Sequence, residues 1–203
     1  MRLRDVLVSQ LAKPHGVLTG PISRLLNRGN RLITAHTLGA LELTDESAVL
    51  EVGFGGGVGL EMVMEHVPEA RLVGIDLSDD VVRRARKRFP TLDLRQASAD
   101  ALPFEAEFDA VFAVNVAYFW ESLPDVLAEL LRVLRPGGRL ALGVRPAATC
   151  ARLHFADAGH REWDPAQYGD AARAAGFVDV RVTRMPDPGG GAYVVLGHRA
   201  PAP

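Results

Sequence analysis

The sequence predicts an α/β protein: a seven-stranded sheet, mostly parallel and doubly wound with helices on both faces, ending in a C-terminal antiparallel hairpin. Three observations predict it. From residue 47 onward, short runs rich in branched apolar residues alternate with helical segments. The first of these runs passes directly into the glycine-rich stretch "VLEVGFGGGVGLEM", residues 49–62. The last two runs follow each other with only the turn "PDPGGG" between them, so they can pair only as a hairpin.

The elements follow in order. Residues 3–13 and 21–43 read as helices, separated by Gly16, Gly20 and Pro21. In the second, Ile22, Leu25, Leu26, Leu32 and Ile33 fall at helical spacings, with Gly29 as a break. Five buried strands come next: "AVLEV", "RLVGID", "LDLR", "FDAVFAV" and "GRLALGV". Helices are expected at "SDDVVRRARKRF" and at 121–134 between them. The hairpin strands are "GFVDVRVTRM" and "GGGAYVVLGHRA". Residues 1–45 are expected to form a helical cap or lid, and 46–203 a single compact unit.

Composition bounds the function classes. The chain has 203 residues, 48% hydrophobic and 24% charged, which suits one domain with a full core. No apolar stretch approaches the ~20 residues of a membrane helix, and "MRLRDVLVSQLAKPHG" has no apolar core or cleavage signature of a secretion signal. A cytoplasmic protein with no membrane partner is the expectation. Cys150 is the lone cysteine, which excludes an internal disulfide and a cysteine metal cluster. A net charge of -2 gives no global field for nucleic acid. The basic run "RRARKRF" (83–89) follows Asp79 and Asp80 and reads as a solvated helix face.

In an open sheet of this kind, ligands bind at the carboxyl ends of the strands. The first such loop carries Gly53, Gly55, Gly56 and Gly57, which let the backbone turn sharply and approach a ligand. A dinucleotide fingerprint would need a small residue at position 58 or 60, where Val58 and Leu60 stand. No Lys-Ser or Lys-Thr pair follows, so a phosphate-binding P-loop is excluded. Instead Glu51 precedes the first glycine by two positions, and a carboxylate there repels a pyrophosphate but accepts from an ammonium. Asp76 ends the second strand, where an acid can take both hydroxyls of a ribose. A ligand with a ribose and an amino group but no phosphates fits both, and S-adenosylmethionine is such a ligand.

Four blocks in order, "VLEVGFGGG", "VGIDLS", "ASADALPF" with "FDAVFAVNVAYFW", and "LRVLRPGGRLAL", resemble the class I S-adenosylmethionine-dependent methyltransferases, most closely their small-molecule, ubiquinone-biosynthesis-like branch. The resemblance covers residues 47–145 and implies a Rossmann-like fold, S-adenosylmethionine as cofactor and S-adenosylhomocysteine as product; the few histidines are not at ligand spacing with acids on one helix face, so no metal is expected. It implies that Glu51, Gly53, Gly55 and Gly57 line the methionine end, that Asp76 holds the ribose and that Leu77 lies against the adenine. The third block of the family usually reads G-D-A-x-x-L-P-F. Here Ser98 replaces that aspartate, so the contact to the adenine amine becomes neutral, while the Ala99 amide reaches a ring nitrogen. Asp100 stands two positions late for that role. Asn115 falls where the family contacts the region of the sulfonium.

The resemblance implies methyl transfer to a small-molecule acceptor through an O, N or C nucleophile. A hydroxyl acceptor benefits from a base. His15, His36, His154 and His160 lie in segments that cap the pocket in this fold, with His36 the foremost candidate and helix packing the competing reading. Tyr118, Phe119 and Trp120 could wall an acceptor pocket, with Tyr118 as a catalytic candidate, or anchor the next helix in the core. The loop reads Asn-Val-Ala-Tyr and lacks the N-P-P-Y pattern that grips a flipped base. The partners expected are a small-molecule acceptor and no nucleic acid, in a monomer or homodimer. Two alternatives stay open: a methyltransferase acting on protein or RNA, and a cofactor-binding protein without methyl transfer.

Overall fold

A computed structural model describes residues 31–146, 163–185 and 191–202. Seven strands form one sheet: β1 (Ala48–Val52), β2 (Arg71–Asp76), β3 (Asp93–Gln96), β4 (Phe108–Val114), β5 (Leu134–Val144), β6 (Val178–Met185) and β7 (Ala192–His198). Their order is β3-β2-β1-β4-β5-β7-β6. The first five are parallel, whereas β7 runs antiparallel between β5 and β6. The expected hairpin is therefore present, with its second strand seated inside it and β6 on the edge.

Among the described residues the α-helices are α1 (residues 31–39), α2 (Val58–His66), α3 (Asp79–Arg88), α4 (Leu123–Val133) and α5 (Pro165–Ala174). Side-chain alternation divides the core into two layers. Leu50, Val52, Val111 and Ala113 face one layer with Leu127 and Leu130 of α4 and Tyr168 of α5. Val49, Ala110 and Phe112 face the other with Ile33 of α1, Leu60 of α2 and Val82 of α3. Every residue of β1 is buried, as a central parallel strand requires. Ile33 and Leu41 belong to this second layer, so the described end of the expected N-terminal cap packs on the sheet.

Local chemistry sets the helix limits. Ser78 and Ser122 cap α3 and α4 by accepting from the Val81 and Asp125 amides. Pro124 occupies the first turn of α4, where its missing N–H costs nothing. The helix expected to run to residue 43 stops earlier: Leu41 N donates to Leu38 O at 3.0 Å, a tightened last turn, and Glu42 adopts φ 51. The remainder of that segment, residues 21–30, and the helix expected at 3–13 lie outside the described residues. Strand β5 begins at Leu134, directly after α4, four residues before the run "GRLALGV" that marks it in the sequence.

The C-terminal end of α4 is capped from a distance. Arg199 donates through Nη1 to the carbonyls of Leu131, Arg132 and Leu134 at 3.3, 3.0 and 2.5 Å. A cation there also meets the negative end of the helix dipole. Arg199→Ala is expected to cost about 1 kcal/mol and lower the thermal midpoint by roughly 2–4 °C, measured by calorimetry.

Candidate cofactor site

The loops at the carboxyl ends of β1, β2, β3 and β4 meet on one rim of the sheet. From β1 the chain turns through Gly53, Gly55 and Gly57, all with positive φ (75, 48 and 78°), into α2. Gly53 N donates to Ile75 O at 2.8 Å, which joins this turn to the end of β2. Gly53 is required for a second reason: a Cβ there would lie 2.6 Å from Cγ2 of Val116, in the loop after β4. The glycine turn is thus packed between two neighbouring loops.

Asp76 sits at the end of β2 and accepts from the Gly55 amide through Oδ2 and from the Ser78 amide through Oδ1, each at 2.9 Å. Burial raises its carboxyl above the usual range, and the two amides oppose that rise. Glu51 is buried at 4% exposure, and its side chain lies against Gly59 in the first turn of α2. Its Oε2 has no hydrogen-bond partner among the described residues. Burial, then the charge of Asp76, hold its carboxyl well above the usual range, while the Leu60 amide pulls the other way.

Two carboxyl groups around a glycine turn, with the Asp76 charge opposing ionisation of Glu51 and one Glu51 oxygen orphaned and buried, fit a ligand that brings positive charge and hydroxyl donors. S-adenosylmethionine fits that donor set. A pyrophosphate does not.

The adenine side is built from the ends of β2 and β3. Leu77 follows Asp76 and is 59% exposed, an apolar surface offered to a planar ring. Ala97 N donates to Asp76 O at 3.2 Å, which brings the Ser98–Ala99 segment beside it. Ser98 and Ala99 are half-buried, and the Ser98 carbonyl accepts from Ala101 N. The following loop is clamped onto α4: Arg132 donates to the Leu102 and Phe104 carbonyls at 2.9 and 2.7 Å. Glu129 Oε2 accepts from the Leu102 amide at 2.8 Å, and Arg132 pairs with the same carboxylate. That pairing holds the Glu129 carboxyl below its usual range, so the clamp's contribution to stability is present at neutral pH and is lost as pH falls into the acid range.

Asn115 directly follows β4 in a left-handed conformation, φ 54, with its backbone N–H donating to Gly143 O at 2.9 Å. Its Oδ1 accepts from the Tyr118 hydroxyl at 2.7 Å, and the same hydroxyl accepts from the Arg145 amide at 2.8 Å. Tyr118 is 1% exposed. Its phenol is a brace between the β4 loop and the end of β5, and it fixes the Asn115 side chain. Tyr118 and Trp120 both belong to the core, so of the two sequence readings of this aromatic run the anchoring one describes them. His36 is half-buried on α1, beside Thr37, which packs over Gly143. His15, His154 and His160 lie outside the described residues.

Sequence reasoning missed Arg132 and Glu129, which hold the adenine-side loop, and Arg145, buried at 8% exposure after β5. An arginine directly following a continuous apolar strand was the available signal for the last. Among the described residues no group of three or more His, Cys, Asp or Glu could hold a metal, and no helix is long and apolar enough to cross a membrane.

Comparison with known proteins agrees with this geometry. Residues 50–142 match the family described as a methyltransferase domain. The chain is 40% identical over 108 residues to trans-aconitate 2-methyltransferase of Azoarcus sp. (strain BH72), covering 52% of this chain and 42% of the relative. It is 32% identical over 185 residues to erythromycin 3''-O-methyltransferase of Saccharopolyspora erythraea, covering 80% of this chain and 60% of the relative. It therefore spans less than two thirds of the length of either. Among solved structures, geranyl diphosphate C-methyltransferase from Streptomyces coelicolor A3(2) superposes with a TM-score of 0.69 at 16% identity, covering 82% of this chain and 75% of that one. That likeness is one of fold. Residues 50–142 thus form a methyltransferase domain of the class I S-adenosylmethionine-dependent kind.

Proposed function

We propose that the protein transfers a methyl group from S-adenosylmethionine to a small-molecule acceptor, through an O, N or C nucleophile. The observation that carries this reading is the pair Glu51 and Asp76 flanking a glycine turn with no phosphate-binding lysine. When bound, the cofactor supplies a methyl group already activated on a sulfonium, so the protein's work is alignment and exclusion of water. Asp76 takes the ribose hydroxyls, Glu51 and the glycine turn receive the methionine end, and Leu77, Ser98 and Ala99 receive the adenine. Asn115, held by Tyr118, stands at the methyl-transfer end. His36 is the base for a hydroxyl acceptor.

The relatives named above are methyltransferases of trans-aconitate and of erythromycin, both small molecules, which supports the acceptor class. The basic run 83–89 gives little support to an RNA acceptor, because Arg83, Arg86 and Arg88 bond within the protein.

Calorimetric titration is expected to show micromolar binding of S-adenosylmethionine and S-adenosylhomocysteine and none of NAD. Methyl-labelled cofactor, offered with a metabolite pool or with protein and RNA fractions, should then label only the pool. Label confined to a macromolecular fraction overturns the acceptor class. Cofactor binding without label in any fraction favours the reading without methyl transfer.

A further inference from the structure

The basic run on α3 has no part in the reaction as described, yet its side chains are not equivalent. Arg83 pairs with Asp79 and Asp80 of its own helix. Arg86 donates to Leu94 O at 2.9 and 2.7 Å and closes α3 onto β3. Arg88 reaches further, to the cofactor loop. Its Nη1 donates to the Gly56 carbonyl at 2.9 Å, and its Nη2 bonds to Glu61 on α2.

The next residue bears on the same loop. Arg88 lies 4.9 Å from the centroid of the Phe89 ring, and that ring sits directly against Gly57, where a Cβ would approach its Cε2 to 2.7 Å. The two residues at the end of α3 therefore meet the loop at successive positions: one bonds the Gly56 carbonyl, and the other closes the space against Gly57.

The loop needs holding. Gly55 and Gly57 adopt left-handed conformations that glycine leaves as easily as it enters. Asp76 binds the Gly55 amide on one side, and the Gly56 carbonyl has Arg88. We propose that Arg88, seated on Phe89 and Glu61, is a positioning residue that holds the glycine loop in the form that receives the methionine end of the cofactor. The assignment of the ligand rests on the function proposed above; the holding of the loop does not.

Two readouts on the whole chain test it. In Arg88→Ala, amide hydrogen exchange of residues 55–57 in the ligand-free protein should speed up, with strands β1 and β4 unchanged. The Kd for S-adenosylmethionine should rise about tenfold, the scale of one lost charge-assisted bond. The thermal midpoint should shift by no more than about 2 °C, because exposed ion pairs add little stability. Arg88→Lys keeps the charge without the fork and should recover part of the affinity.

Arg83→Ala removes the same charge without touching the loop. Removing a positive charge near a cationic ligand cannot by itself weaken binding, so this variant should leave both readouts in place. Unchanged exchange at 55–57 in Arg88→Ala overturns the proposal, and so does an equal affinity loss in Arg83→Ala. If the wild type binds no S-adenosylmethionine, the proposed function fails. The exchange measurement still decides whether Arg88 holds the loop.

Discussion

Replacing Asp76 by alanine is expected to remove measurable binding of S-adenosylmethionine and S-adenosylhomocysteine, a loss of at least about 100-fold, while the fold survives. Each hydrogen bond to an ionised acceptor is worth about 1.5–3 kcal/mol, and the ribose has two hydroxyls to donate. The substitution also frees the Gly55 amide, so the loop loses one of the hydrogen bonds that hold it. Asp76 is only half-buried, and water can reach the Gly55 and Ser78 amides once the carboxylate is gone. Stability should therefore fall modestly. Asp76→Asn keeps one acceptor oxygen and should lose less, about tenfold. Calorimetric titration measures both, and retention of micromolar affinity in Asp76→Ala would mean that the ribose is held elsewhere.

Glu51→Gln should separate stability from binding. The Glu51 carboxyl has its folded pKa raised well above the ordinary value of 4.5, by burial first and by Asp76 second. The folded protein therefore keeps this proton at pH values where the unfolded chain has released it. Its contribution is fully present below pH 4.5 and is lost as pH rises through the raised folded value. Glutamine cannot ionise, so the variant should match the wild type in mild acid and exceed it near neutral pH. The gain expected is about 1–3 kcal/mol, the scale of an unpaired buried polar group. Thermal melts across pH 4–8 measure it; parallel curves for the two proteins would refute it.

The same substitution should weaken the cofactor. A cationic ligand near Glu51 favours its ionised form, so binding should release a proton in the wild type at any pH where the free protein still holds the Glu51 proton. The binding enthalpy should then depend on the ionisation enthalpy of the buffer in the wild type and not in Glu51→Gln. Stability surrendered to keep a buried acid is common at functional sites.

How much of this was legible follows from the range of the interactions involved. Strand positions were readable because a buried parallel strand is predominantly apolar, as "AVLEV" and "FDAVFAV" are apart from Glu51 and Asp109. The cofactor turn was readable because positive φ at Gly53, Gly55 and Gly57 favours glycine, and because Glu51, one residue before the end of β1, and Asp76, at the end of β2, lie on adjacent strands. The end of α1 at residue 39 was not readable, since an apolar pattern continues through Leu41 and Leu43 while the backbone has already turned. Tyr118 could not be read as a brace, because its partners Asn115 and Arg145 meet only through the pairing of β4 with β5. Arg88 looked like part of a solvated face and Arg132 gave no signal for the same reason: the carbonyls they bind lie 32, 30 and 28 residues away in sequence.

The reversed direction of β7 has a practical consequence for handling the protein. His198 pairs with Arg139, which on its other side pairs with Ala110 near the start of β4, and the Arg199 amide donates to Gly138 O at 2.8 Å. The chain thus leaves the sheet at the amino ends of the parallel strands, on the rim opposite the cofactor loops. An affinity tag or a surface tether joined after residue 199 points away from those loops, so immobilised protein should titrate ligand as freely as protein in solution.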